Sequence, residues 1–314
     1  MVTEKEVNFV SAVVYVKKGG DSVRDFLEYL FGVFDSRFAS YEFVCVNDGA
    51  GEEELGGIRQ FGQEHGIRLL TVVNMLAGRK GAGLENSMTA GRDAAIGDYI
   101  FEFDSTFADY SPQDIMTAYE KCLAGADIVS AVPKQQKTGI FSRMFYRLLN
   151  SCLQTPAELS ADRFRVLSRR AVNSIEAYSR TVPYRKAVYA SSGMKCAAVR
   201  YDSGRTGKKL SSDVPGLEAA GDAVILFTDL AYRVSLGFSV MMALLLAGYG
   251  IYAVSVHLSR PDAVAGGWAS LAVLICAGFL AVFILLAVMF RYLEMLLRLS
   301  FKKRQYAVTS VEKL

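Results

Sequence analysis

Short apolar runs rich in β-branched residues recur along the first part of the chain, separated by stretches with helical spacing. The runs are Phe9 to Val16, Tyr41 to Asn47, Ile67 to Val73, Asp98 to Asp104 and Ala126 to Val132. Between them, Ser22 to Phe34, Glu52 to Glu64, Ala82 to Ile96 and Pro112 to Leu123 carry apolar residues at helical intervals, the last with Pro in its opening turn. Strands alternating with helices of this length predict βαβ units, hence an α/β fold with a doubly wound, mostly parallel sheet. Further on the pattern changes. Neither Val234 to Val256 nor Ala263 to Phe290 contains a charged residue or a His. Each exceeds the ~20 apolar residues that a bilayer-spanning helix requires. The pattern therefore predicts a two-helix transmembrane hairpin behind a large polar domain.

The division expected is a cytoplasmic domain over residues 1–225, membrane helices over 231–256 and 266–290, and a basic cytoplasmic tail over 291–314. Within the first domain, residues 139–153 (GIFSRMFYRLLNSCL) set an apolar band beside Arg143 and Arg147, four positions apart. A core-packing helix would look much the same, but two arginines beside so wide an apolar band favour an interfacial amphipathic helix.

Composition locates the excess of apolar residues rather than changing the fold class. The chain has 314 residues, 52% apolar and 21% charged, with a net charge of +3. Those values exclude a disordered, collagen-like or disulfide-dense chain. From Arg291 onward six basic residues face two acids, so the tail alone carries +4 and the remainder −1. By the positive-inside rule both termini lie in the cytoplasm, and the chain is expected as a multi-pass protein of the plasma membrane. The opening residues have no signal-peptide pattern, which agrees with a domain that stays on its side of synthesis. Basic residues grouped at the membrane edge leave a nucleic-acid role without support. Cys45, Cys122, Cys152, Cys196 and Cys276 show no metal-binding spacing, and His65 and His257 share no recognisable site.

In open α/β sheets ligands sit beyond the carboxyl ends of the strands. Here those ends read Lys17-Lys18-Gly19, Asn47-Asp48-Gly49 and Asp104-Ser105-Thr106, with Asp109 close behind. A carboxylate at Asp104 suits a hard divalent cation set against a diphosphate, and suits a turn or helix cap equally well. Gly78 to Gly83 (GRKGAG) precedes a helix, where backbone N–H groups can meet a phosphate, yet it matches neither a P-loop nor a dinucleotide fingerprint.

The order of these pieces resembles the membrane-anchored family 2 glycosyltransferases of the polyprenyl-phosphate type, which include dolichol-phosphate mannose synthases and undecaprenyl-phosphate glycosyltransferases. Asn47-Asp48-Gly49-Ala50 stands at the family's nucleotide-contacting turn, and Asn74 through Gly91 at its Asn…Gly…Gly helix. Phe103-Asp104-Ser105-Thr106 occupies the DxD position, and Ser111-Pro112-Gln113-Asp114 the Pro-Pro-Glu stretch. Phe164 to Arg170 and Tyr201 to Leu210 match two later basic segments, while Gly267-Trp268 and Arg304-Gln305-Tyr306 match the family's closing features.

The resemblance implies a GT-A-like, Rossmann-like fold and transfer of a sugar, with inversion, from a nucleotide-sugar to a polyprenyl phosphate. It implies Asn47, Asp48, Asn74, Lys80 and Gly81 at the nucleotide, and Asp104, Thr106 and Asp109 around Mg²⁺ or Mn²⁺. Asp104 and Arg165 would serve catalysis, and Arg143, Arg147, Arg205, Lys208 and Lys209 the lipid phosphate. Gly237, Ser239, Ala243, Gly248 and Gly250 would permit close helix packing in a homo-oligomer. The chain departs from the family at Lys17-Lys18, Asn47, Thr106 and Gln113. The alternative reading is therefore a catalytically degenerate homologue, kept as a lipid-binding or partner subunit in cell-surface polysaccharide assembly.

Overall fold

The apolar runs become strands because their β-branched and aromatic residues pack well on a pleated surface. In the computed structural model they are β1 (Val10–Val16), β2 (Tyr41–Asn47), β3 (Leu70–Met75), β4 (Tyr99–Phe103) and β5 (Ile128–Pro133). The structure describes all residues except 1–4, 20–21, 68, 77–82, 135–142, 145, 148–149, 151–161, 179–183, 204–229, 260–267 and 301–305. The four helices between the runs are α1 (Val23–Arg37), α2 (Glu52–His65), α3 (Leu84–Ala94) and α4 (Pro112–Leu123). Then follow β6 (Phe164–Ser168), α5 (Arg169–Tyr178), α6 (Arg185–Ser191) and β7 (Cys196–Tyr201). Two long helices, α7 (Leu230–Ser259) and α8 (Trp268–Ser300), precede a last strand, β8 (Val308–Lys313).

All eight strands join one sheet in the order β7-β5-β6-β4-β1-β2-β3-β8. β4, β1, β2 and β3 run parallel, as the alternation predicts. β6 enters antiparallel between β4 and β5, setting Arg165 opposite Glu102. β8 pairs antiparallel with β3, so the end of the expected basic tail is an edge strand. Asn74 secures it, its amide donating to Ser310 Oγ and Glu312 Oε1, both at 2.9 Å.

The principal core lies between one sheet face and helices α1 and α4. Phe26 and Phe34 meet Phe43, Phe101, Phe103 and Tyr119 there, all buried. Each such side chain contributes about 1.5–3 kcal/mol by leaving water. Ser111 and Asp114 cap α4 reciprocally, which gives the Ser-Pro-Gln-Asp segment a structural duty. On the other face α3 packs closely over β1 and β2. A Cβ at Gly91 would collide with Val46 Cγ2 and lie 2.5 Å from Val13 Cγ1.

By contact the chain divides into one unit of Met1–Ala220 with Lys303–Leu314, and a second of Gly221–Lys302. In the second, α7 and α8 occur where the two uncharged stretches predict helices. The described side chains on them include exposed Leu244, Leu245 and Ile251, and exposed Phe279, Phe283 and Phe290. Among the described residues no helix is long and apolar enough to cross a membrane, so the expected transmembrane hairpin is not shown by the fold.

Two glycines test the packing. Gly91→Val should lower unfolding stability by about 1–3 kcal/mol through overpacking against Val13 and Val46. Gly32→Ala in α1, where a Cβ meets nothing within 4 Å, should raise it by roughly 0.5–1 kcal/mol in the same denaturant titration.

Candidate functional site

Side-chain alternation along β4 builds the site. Phe101 and Phe103 face the aromatic core, so Glu102 points to the α3 face, where it is fully buried. Asp104, immediately after the strand, shares two arginine partners with it. Arg165 of β6 donates from Nη1 to Glu102 Oε2 at 3.0 Å and from Nη2 to Asp104 Oδ2 at 2.9 Å. Its Nε and Nη2 also reach Asp162. Arg185 of α6 repeats the arrangement, with Nη1 on Glu102 Oε2 at 2.7 Å, Nη2 on Asp104 Oδ1 at 2.9 Å and Nε on Glu85 Oε2 at 3.0 Å. Lys186 pairs with Asp162, and the Tyr189 hydroxyl donates to Glu102 Oε1 while accepting from Arg92.

Four acids (Glu85, Glu102, Asp104, Asp162) thus meet four cations (Arg92, Arg165, Arg185, Lys186), and the cluster is neutral as a whole. Arg165 and Arg185 are 1% and 0% exposed, so their charges survive only through these partners. Burial acts to raise the Asp104 pKa, but Arg165 and Arg185, helped by Lys186, outweigh it and hold the carboxyl below its ordinary range. Asp162 is depressed likewise: burial opposes the shift, and Arg165 and Lys186 drive it.

The expected nucleotide residues form a second, connected set. Asn47 donates to Asn74 Oδ1 at 2.8 Å and accepts from the Ala50 N–H at 2.8 Å, holding the turn after β2. Asp48 Oδ2 accepts from the Tyr15 hydroxyl at 2.8 Å and from the Gly83 N–H at 3.0 Å, which ties the start of α3 to the ends of β1 and β2. Gly83, at φ +83°, adopts a backbone conformation that glycine favours. Lys80 and Gly81 lie outside the described residues, as do Arg205, Lys208 and Lys209.

Asp109 belongs to a separate group, accepting from Arg163 Nε at 3.1 Å, Ser203 Oγ at 2.9 Å and the Tyr201 hydroxyl at 2.8 Å. Beside Asp109, between the first turn of α1 and residues 106–111, opens a cleft of about 680 Å³, with Thr106 in its wall beside Asp25 and Tyr29. Of residues 139–153 only some are described. Among them Arg143, Met144 and Arg147 are exposed, while Tyr146 is buried and its hydroxyl accepts from that of Tyr184.

The expected cation centre is not assembled. Both Asp104 oxygens hold guanidinium groups, Thr106 brings no carboxylate, and Asp109 is engaged elsewhere. Among the described residues no three His, Cys, Asp or Glu side chains converge as metal ligands. Arg165, expected to serve catalysis, is committed to three carboxylates. Arg185, Lys186, Glu85 and Asp162 went unread because an isolated charge in a sequence resembles a solvated one. Glu102 inside the apolar run Tyr99 to Phe103 was the available signal.

No family model matches the chain. It is 25% identical over 171 residues to undecaprenyl-phosphate 4-deoxy-4-formamido-L-arabinose transferase of Edwardsiella ictaluri, covering 54% of this chain and 51% of that protein. It is 26% identical over 187 residues to an uncharacterised glycosyltransferase of Synechocystis sp., covering 57% of each. The chain thus spans about half the length of the curated relatives it matches. In fold it is similar to mannosyl-3-phosphoglycerate synthase from Rubrobacter xylanophilus, with a TM-score of 0.52, 16% identity, and 72% and 74% of the two chains covered. The chain is thus similar in sequence to glycosyltransferases, and it shares with a synthase of this kind a mixed α/β, GT-A-like sheet. Among glycosyltransferases the chain is similar to the family 2 enzymes of the polyprenyl-phosphate type, as its motif order implies.

Arg165→Met leaves Glu102, Asp104 and Asp162 short of a partner and should cost about 3–5 kcal/mol in denaturant unfolding. Because the folded pKa values of Asp104 and Asp162 are depressed, their contribution is present above the unfolded value of about 3.9 and is lost as pH falls through the folded values. Stability measured against pH should therefore drop on the acid side of about 4, and less steeply in Arg165→Met than in the parent.

Proposed function

We propose that this chain transfers a sugar from a nucleotide-sugar to the phosphate of a polyprenyl lipid at a membrane surface, with inversion at the anomeric carbon. The observation that carries the proposal is the match to a transferase whose named acceptor is undecaprenyl phosphate. A GT-A-like sheet with its charged cluster at the carboxyl end of β4 supports it.

A phosphate monoester has a second pKa of about 6, so at pH 7 the acceptor is already mostly the dianionic nucleophile. Its oxygen bonds to the anomeric carbon as the bond to the donor diphosphate breaks, and the diphosphate leaves with the electron pair. Such a step needs alignment and charge stabilisation, with no strong base, which suits a site without His. Arg165 and Arg185 act here as positioning residues: they fix Asp104 and Glu102 and set the local potential. Exposed Arg143 and Arg147, with Arg205, Lys208 and Lys209, are the cations offered to the lipid phosphate.

Membrane attachment belongs to the same proposal. At 1.5 Å per residue, helices of 30 and 33 residues reach roughly 45 and 50 Å, beyond the hydrocarbon thickness of about 30 Å. Residues on both sides of this segment belong to the sheet unit, so helices that leave for a bilayer must also return. That supports a hairpin with both ends on one side of the bilayer. The small residues of α7 would serve self-association.

A second reading is favoured by the engaged carboxylates of Asp48 and Asp104: a degenerate homologue that binds lipid or a partner without turnover. The two readings part in one assay. Protein in vesicles containing undecaprenyl phosphate, given UDP-, GDP- and TDP-sugars, should form a lipid-linked sugar, and Asp104→Asn should slow this by about 10²-fold or more. Vesicle binding without product from any donor would establish the degenerate homologue instead. The chain itself should float with vesicles and resist extraction by alkaline carbonate; release into the supernatant would rule out the hairpin.

A further inference from the structure

Asp104 stands where a divalent cation is expected, yet both of its carboxylate oxygens are already engaged by buried cations. Each carboxylate oxygen accepts a guanidinium N–H at 2.9 Å, one from Arg165 and one from Arg185. Two guanidiniums bring +2, the charge of Mg²⁺ or Mn²⁺. Neither can withdraw easily: Arg165 is also held by Asp162 and Glu102, and Arg185 by Glu85 and Glu102. Their burial leaves water no route to replace those partners. A cation on Asp104 would sit within a few ångströms of both fixed positive charges, at low dielectric, where repulsion is strongest. It would also find no neighbouring carboxylate to share, since all four acids of the cluster are matched by its four cations.

We infer that Arg165 and Arg185, by holding both oxygens of Asp104, exclude a divalent cation from this edge of the sheet, and that the chain binds its nucleotide without metal. Asp104 is then the anchor that orients two arginines. Arg185 reaches Asp104 from α6, and Arg165 reaches it from β6. The inference rests on the donor site proposed above and narrows it to a metal-free nucleoside diphosphate.

Two measurements on the full chain in detergent decide it. Calorimetric titration with UDP, GDP and TDP, in EDTA and again in Mn²⁺, should give dissociation constants that agree within about threefold. Tightening by more than about threefold in Mn²⁺ overturns the inference. The second measurement is electron paramagnetic resonance of Mn²⁺ mixed with the chain alone. A bound population that disappears in Asp104→Asn overturns the inference, whereas no bound population, or one indifferent to that substitution, supports it. If none of the three nucleotides binds, the donor-site proposal fails, and the resonance measurement still decides whether Asp104 holds metal. The titration needs no variant, so it stands even where Asp104→Asn does not fold.

Discussion

A carboxylate buried at the end of a central strand stays ionised only when cations are brought to it, and much of this structure serves that requirement. Asp104 and Glu102 lie at the carboxyl edge of β4, the one strand with β1 on one side and β6 on the other. Antiparallel β6 delivers Arg165, α6 delivers Arg185 and Lys186, and α3 contributes Glu85 and Arg92. Four elements are fastened to one point by ion pairs that water cannot screen. Buried pairs of this kind add little net stability compared with an apolar core, but removal of one member is costly. They confer a defined geometry, which is what a site for a charged leaving group requires.

The parallel half of the fold was legible because it follows a simple rule. Apolar β-branched runs alternating with helical spacing located β1, β2, β4 and β5 within a few residues, and α1 to α4 with them. β3 begins at Leu70 rather than Ile67, since α2 runs on to His65 and is closed by Gly66 in a left-handed conformation. β6 was visible as a basic segment only: Phe164 to Ser168 interrupts its apolar pattern with Arg165, whose burial depends on acids distant in sequence. β8 was hidden for a different reason. The charges near the chain end dominate its reading, whereas Val308 and Val311 act through pairing with β3, a long-range contact that no local pattern records.

The candidate site was half legible. Asn47, Asp48 and Asp104 lie at the carboxyl ends of β2 and β4, as strand-end logic predicts, and Asn74, singled out by the resemblance, lies near that of β3. Their partners were not foreseeable, because hydrogen bonds such as Asp48 to Gly83, or Asn74 to Glu312, depend on tertiary placement. Glu102 carries a readable signal, since an acid at the alternate position of an apolar strand shares a face with Asp104, and it is fully buried. Arg185 had no comparable signal, sitting beside Lys186 in a segment that reads as an ordinary amphipathic turn.

What occupies the two oxygens of Asp104 when a nucleotide is bound decides how this site works. The direct measurement is an anomalous difference map at the manganese edge, from crystals of the full chain grown with Mn²⁺ and a nucleoside diphosphate. The account predicts Arg165 and Arg185 still paired with Asp104 and no manganese peak beside it. A peak at Asp104, with either guanidinium displaced, would contradict it.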